Sequence, residues 1–197
     1  MLKIQLFALL TITLLVWSTF SESQTHVHGE GQLLIAQDGN TWQMEFIIPA
    51  ADILGFENKT NDVKKVKRVN EIAKLISDAS NLITIPNNCQ ASNISHNLMQ
   101  FIDSNDGVHK NHEHAKLNAS YFQVVHDKHD HNHSGHHQHH SDVTITLLLN
   151  CVSGVSQLEL KIFEITPSID NFNAQWILEN QQGAKSISRP QAILIFA

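Results

Sequence analysis

The sequence has little of what most enzymes and nucleic-acid-binding proteins use. Its 197 residues contain no HExxH metalloprotease motif, no GxSxG nucleophile elbow and no glycine-rich phosphate loop. Lysine and arginine number only 13 against 19 acidic residues, so the formal net charge is −6 and no basic surface dominates. We therefore expect a binding protein without catalytic activity and without affinity for nucleic acid. A metal-dependent hydrolase is an alternative, although no general base beside an open metal site is recognisable.

Cysteine is also scarce, since the chain has only Cys89 and Cys151. In an exported protein, an even pair most simply forms one disulfide. The bridge would close a loop that contains most of the histidines. In the chain-entropy model, closing a loop of this size stabilises the folded protein by about 4 kcal/mol. Two thiolate metal ligands are the alternative.

A long apolar run occurs only at the N-terminus. Residues 4–20 are almost wholly apolar, follow Lys3 and lead to the small residues Ser21 and Ser23. This pattern predicts a cleavable signal peptide over residues 1–23 and a mature single domain over residues 24–197 that is not embedded in a membrane. An uncleaved anchor is the alternative, but the run is short for a span, which needs about 20 residues.

Histidine is abundant: eleven of the fourteen lie in one segment, residues 109–140. They are His109, His112, His114, His126, His129, His131, His133, His136, His137, His139 and His140. Neutral imidazole binds zinc readily and also suits copper and nickel. We expect several overlapping metal sites that exchange ligands, with dissociation constants on the order of micromolar. Nearby Asp127, Asp130 and Asp142 can add oxygen ligands. An inert loop and a pH-sensing tract are the alternatives.

A second histidine pattern, His26-Val27-His28-Gly29, lies ahead of the first predicted strand. In an extended chain both imidazoles point to one side and can share an ion, while Gly29 lets the backbone turn or approach closely. The remaining ligands would come from His96 or from the His-rich segment, and two ordinary surface histidines are the alternative. If cleavage follows Ser23, His26 becomes the third mature residue and suits square-planar copper(II) or nickel(II).

Apolar periodicity predicts an α+β fold: a mainly antiparallel β domain with one prominent helix and a disordered His-rich insert at residues 103–142. A hairpin turns at Asp38-Gly39, and a helical stripe between Asn61 and Ala79 is capped by Asn61 or Thr60. The other predicted strands run over residues 89–101, 117–125, 143–151, 158–163, 174–178 and 192–196, with Pro167 and Gly183 at turns.

Several of these features occur together in one known family. His26-Val27-His28-Gly29, the stretch from Pro49 through Gly55 and Phe56 to Glu57, the lysine-rich helix and the cysteines that flank the His-rich segment resemble the ZrgA-like periplasmic zinc-binding proteins. The resemblance covers essentially the whole mature chain. The chain departs from it at Asn58, where relatives often have a histidine, and this leaves a metal site near Glu57 in doubt.

The resemblance implies a bacterial periplasmic protein that binds several zinc ions and assists uptake by an ABC importer that has its own substrate-binding receptor. His26, His28 and the segment from His109 to His140 match the histidines of the family. We expect a zinc reservoir or metallochaperone. Protective sequestration of copper or nickel is the second hypothesis.

Overall fold

The computed structural model describes residues 27–103 and 141–196. The predicted signal peptide, His26, the eleven histidines of the His-rich segment, the predicted disorder of the insert and the predicted strand at 117–125 lie outside these residues. The predictions for those parts of the chain therefore stay predictions.

The described residues form nine strands in two sheets. They are β1 (Glu30–Asp38), β2 (Thr41–Pro49), β3 (Ile83–Thr84), β4 (Cys89–His96), β5 (Asp142–Cys151), β6 (Gln157–Leu160), β7 (Asn171–Ile177), β8 (Gln182–Ser188) and β9 (Ile193–Ile195). The large sheet has the order β4-β5-β2-β1-β7-β8, and the small one has the order β3-β6-β9. Within these sheets the neighbours are antiparallel except for β1 and β7. The predicted mainly antiparallel α+β class is confirmed.

Alternation of side chains explains why the large sheet has one buried face. In β2, Trp42, Met44, Phe46 and Ile48 are all at most 1% exposed, while Gln43 and Glu45 point the other way. Strand β5 repeats this pattern, as a strand with one face on the core does. The predicted hairpin is confirmed, with β1 and β2 joined at Asp38 to Thr41.

Two α-helices lie among the described residues: α1 (Ala50–Leu54) and α2 (Val63–Ile76). Helix α2 packs Val69, Ile72 and Ile76 into the core. It is shorter than the predicted span from Asn61 to Ala79. The predicted caps, Asn61 and Thr60, are wrong, because the Asp62 carboxylate accepts the backbone N–H groups of Lys64 and Lys65. The first backbone N–H groups of a helix have no partner within it, and an N-cap side chain accepts from those that follow it by two or three residues.

Two further strand predictions need correction. Gly183 lies inside β8 rather than at a turn, and a Cβ there would meet the Trp176 ring at 2.3 Å, so the glycine makes room for that indole. The predicted strands at 89–101 and 158–163 end early, because Leu98–Phe101 and Ile162–Glu164 form single turns of 3-10 helix. The hydrophobic periodicity of the sequence also did not predict the strands β3 and β8 or the helix α1.

Cys89 and Cys151 form the predicted disulfide, with an S–S distance of 2.01 Å. They are direct cross-strand partners in β4 and β5. Because both sulfurs are in the bridge, neither cysteine is a thiolate ligand in this state. No helix among the described residues is long and apolar enough to cross a membrane.

Candidate metal-binding corner

His28 lies between two carboxylates at one corner of the large sheet. Its Nδ1 is 3.6 Å from Asp52 Oδ2, and its Nε2 is 3.9 Å from Glu57 Oε1. The side chain of His28 is 58% exposed, whereas those of Asp52 and Glu57 are 9% and 22% exposed. The ring is therefore open to solvent on one side and faced by carboxylate oxygens at both nitrogens. We call His28, Asp52 and Glu57 the corner cluster.

Asp52 is held in place by the short helix that follows β2. Helix α1 buries Ala50, Ile53 and Leu54 against the core, which leaves Asp52 on the side toward the N-terminal segment. There Asp52 Oδ2 accepts the backbone N–H of Gly29 at 3.0 Å. The guanidinium of Arg68 on α2 donates to the carbonyl of Ile53 at 3.0 Å, which fixes the far end of α1.

Gly29 gives the backbone the turn that places His28 over Asp52. Its φ is +84°, a conformation that glycine adopts without the steric cost a Cβ brings. Its carbonyl accepts the N–H of Asp170 at 2.7 Å, so both sides of the Gly29 backbone are hydrogen bonded. The prediction that Gly29 allows a turn is confirmed, and the turn is what holds the imidazole near the carboxylates.

Glu57 reaches His28 because α1 stops at Gly55. Gly55 adopts φ +85° and its N–H donates to the carbonyl of Ala51, a common way to end a helix. The reversed chain places Phe56 against α2, where the Lys65 ammonium lies 5.2 Å from the ring centroid. Glu57 comes next and faces the imidazole.

The two ends of the His-rich insert are anchored to the same stretch of chain. On one side the N–H of Ala50 donates to the carbonyl of Ser141 at 2.8 Å. On the other, Thr60 donates to the carbonyl of Phe101 and accepts from the N–H of Asp103. Ala50 precedes Asp52 and Thr60 follows Glu57 in sequence, so both ends of the insert are hydrogen bonded to the stretch of chain that carries these two carboxylates.

The structure brings together only part of the histidine set predicted as ligands. His96, a suggested partner of His28, ends β4, where its Nδ1 accepts the N–H of Leu98 at 3.4 Å. It lines a separate shallow depression beside Asp78. The Ser80 hydroxyl and N–H lower the pKa of Asp78, which ties this carboxylate to its own turn. Over residues 27–103 and 141–196, no three His, Cys, Asp or Glu side chains are placed to hold a metal ion.

The chain matches a known protein family over most of its length. A model of the ZrgA family zinc uptake protein matches residues 25–196. The chain belongs to the ZrgA family. The match spans the corner cluster, both cysteines and the whole His-rich segment, and it supports a role in zinc uptake. No curated protein matches the chain.

Sequence reasoning did not pair His28 with Asp52 and Glu57. The signal that could have done so was the resemblance to the ZrgA family itself. Its two most specific stretches are far apart in sequence, and His28 of the first lies 3.9 Å from Glu57 of the second.

Proposed function

We propose that this ZrgA family member captures zinc in the bacterial periplasm through its His-rich segment and assists uptake by an ABC importer. The observation that carries the proposal is the density of histidines between His109 and His140, in a chain whose family is one of zinc uptake. Several imidazoles with two-residue spacing let an ion exchange from one set of ligands to the next. Such exchange suits a reservoir or metallochaperone, which must release what it binds.

The described scaffold supports this role by the way it holds the ends of the segment. Phe101 and Asp103 are hydrogen bonded to Thr60, and Ser141 is hydrogen bonded to Ala50. Farther from the segment, the Cys89–Cys151 bridge joins the two strands that lead into and out of it. The histidines are thereby tied to a folded domain that a receptor or importer can recognise.

Zinc is the metal that the family match favours. Copper and nickel suit imidazole equally well on chemical grounds, but the ZrgA family match supports zinc alone. We further propose a binding protein with no catalytic activity, since the sequence offers none of the common hydrolytic motifs.

The proposed location depends on removal of residues 1–23. Sequencing the N-terminus of the protein from the periplasmic fraction is expected to give Gln24 or its cyclised form. A chain that begins at Met1 and stays with the membrane would contradict export with cleavage. A start elsewhere than Gln24 would also remove the square-planar copper or nickel site suggested at His26.

Growth under zinc limitation tests the function itself. In the native host, deletion of the gene is expected to slow growth in chelator-treated medium, and added zinc is expected to restore growth. The wild-type gene should complement the deletion, whereas a gene with all eleven segment histidines changed to Asn should not. A matched control changes His96 to Asn, which lies outside the segment, and this gene should complement fully.

The importer link has its own test in the same strains. In a strain that already lacks the zinc ABC importer, deletion of this gene should produce no further growth defect. A defect of equal size in both backgrounds would contradict delivery to that importer. Sensitivity of the deletion strain to excess copper or nickel, with normal growth at low zinc, would favour sequestration instead.

A further inference from the structure

We propose that the outer face of the large sheet pairs with the same face of a second copy of this chain, which gives a weak dimer. The contact uses β2, β1, β7 and β8, four neighbouring strands at one end of the sheet. We call the side chains that these strands turn away from the core the outer patch. The proposal goes beyond zinc capture and does not depend on it.

The outer patch is a shallow trough whose layout follows from the strand register. Residues that pair across neighbouring strands point to the same face of a sheet. The first row of the patch across the four strands contains Gln43, Ala36, Ile177 and Gln182. The second row contains Glu45, Leu34, Gln175 and Ala184. Together they line a depression of about 710 Å³.

The outer patch carries little charge and considerable apolar surface. Glu45 is the one charged residue among the eight, whereas four are aliphatic: Leu34, Ala36, Ile177 and Ala184. Ile177 is 68% exposed and Leu34 is 37% exposed. An interface between two identical patches is opposed by any excess of one charge, because like charges meet. A nearly neutral patch avoids this repulsion, so a second copy suits it.

A two-fold axis that runs parallel to the strands, between β1 and β7, makes the patch complementary to itself. Such an axis places β1 opposite β7 of the second copy, and β2 opposite β8. In the first row Ile177 then faces Ala36 of the second copy, and in the second row Glu45 faces Ala184. Each of these long side chains meets a short one, so Ile177 of each copy fills the trough over Ala36 of the other.

The polar side chains of the patch lie where their hydrogen bonds can be kept. The same axis places Gln43 opposite Gln182 of the second copy, and a side-chain amide both donates and accepts. Leu34 would lie over the methylene groups of Gln175. Glu45 faces β8, which is an edge strand, so its carboxylate lies at the rim of the contact and stays open to water. A polar rim around an apolar centre is the usual anatomy of a protein interface.

The size of the outer patch fits a weak dimer. The four strands have seven or nine residues each. At a strand spacing of about 4.8 Å and a rise of about 3.3 Å per residue, they cover about 500 Å² of each copy. Two copies together would bury about 1,000 Å², which is near the lower limit for a specific interface. We therefore expect dimers at protein concentrations on the order of 100 µM.

Sedimentation of the full mature chain tests for the dimer. The mass is measured from about 1 to about 300 µM protein, a range that includes the concentration at which dimers are expected. EDTA is present, because zinc could otherwise bridge the histidines of two copies. We expect the average mass to rise from that of one chain toward that of two. A chain that stays monomeric over the whole range would overturn the proposal.

Two single variants place charges inside the proposed contact. Ile177→Lys and Ala36→Glu should each weaken dimer formation at least about tenfold, because each leaves an unpaired charge in an apolar contact. An equimolar mixture of the two should form heterodimers, because the introduced ammonium of one copy faces the introduced carboxylate of the other. Ile195→Lys is the matched control. Ile195 is 58% exposed but lies on β9 of the small sheet, so this variant should form dimers as the wild type does.

Dilution followed by nuclear magnetic resonance locates the surface. When the dimer is diluted, the methyl signals of Leu34 and Ile177 should shift, whereas that of Ile195 should not. Thermal melts establish that the variants, all at exposed positions, keep the fold. Shifts at Ile195 instead of Ile177, or a mixture without heterodimers, would contradict the proposed contact. Such a result leaves zinc capture unaffected, because the ions on the His-rich segment are counted in a separate measurement.

Discussion

The His-rich segment and the corner cluster differ in composition. The segment has eleven imidazoles within one stretch of sequence, whereas the corner has one imidazole and two carboxylates. In the corner, the backbone N–H of Gly29 and the packing of α1 hold Asp52 in place. The number of zinc ions bound should therefore depend on the segment.

Acidification should have the largest effect, and it acts on the segment. At pH 5.5 an imidazole with the ordinary pKa of about 6.5 is about nine-tenths protonated, so zinc affinity falls about tenfold for each histidine that binds. Sites built from two or three histidines should lose about 100-fold to 1000-fold in affinity relative to pH 7.5. Zinc titrations at both pH values measure this. Unchanged affinity at pH 5.5 would mean that carboxylates, not imidazoles, bind the ions.

Removal of the disulfide should lower stability without lowering the number of ions bound. The double variant Cys89→Ala and Cys151→Ala frees a loop of sequence separation 62, and loss of such a bridge typically costs about 2–5 kcal/mol. Urea denaturation measures the loss, and zinc titration of the folded variant measures the number of ions. A fall in that number would show that the bridge organises segment sites, which would weaken the contrast between the two regions.

Gly29→Ala should distort the corner cluster and leave the His-rich segment unchanged. A Cβ at φ +84° costs about 1–2 kcal/mol, and relief of that strain would move His28 away from Asp52. We expect a lower melting temperature and an unchanged number of zinc ions bound. Gly154→Ala is the control, because a Cβ there meets open space and its φ lies outside the left-handed range. Equal effects of the two changes would contradict the role given to Gly29.

Asp62→Ala should have the smallest effect on stability and should change neither the His-rich segment nor the corner cluster. Loss of the cap on α2 costs about 1 kcal/mol, because two backbone N–H groups lose their acceptor. Zinc binding should be unchanged, and Asp62→Asn should restore most of the stability in chemical denaturation. A change in the number of zinc ions would show that α2 couples to the metal sites.

Strands with one buried face could be predicted from sequence, because burial itself creates the alternation. The hairpin of β1 and β2 and the strand β5 follow this rule closely. Strand β8 was missed since it lies at the edge of the sheet and buries only Ile187, so little alternation exists to find. Gly183 suggested a turn, because from sequence alone an isolated glycine is compatible with a turn and with the interior of a strand.

The corner cluster could not be predicted from spacing for a different reason. Asp52 and Glu57 meet His28 only because β2 crosses the sheet and α1 then turns back toward the start of β1. No local sequence pattern indicates that these three side chains lie close together. The histidines of the segment were visible in composition, because the proposed capture of zinc depends on their number and not on a contact between distant parts of the chain.

The number of zinc ions on the mature chain tests the central claim most directly. The dialysed, untagged protein and its variant with all eleven segment histidines changed to Asn are equilibrated with zinc at pH 7.4, and bound metal is counted by mass spectrometry against protein concentration. We predict several ions on the wild-type chain and at most one on the variant. One ion or none on the wild-type chain, or the same number on both proteins, would contradict capture of zinc by the His-rich segment.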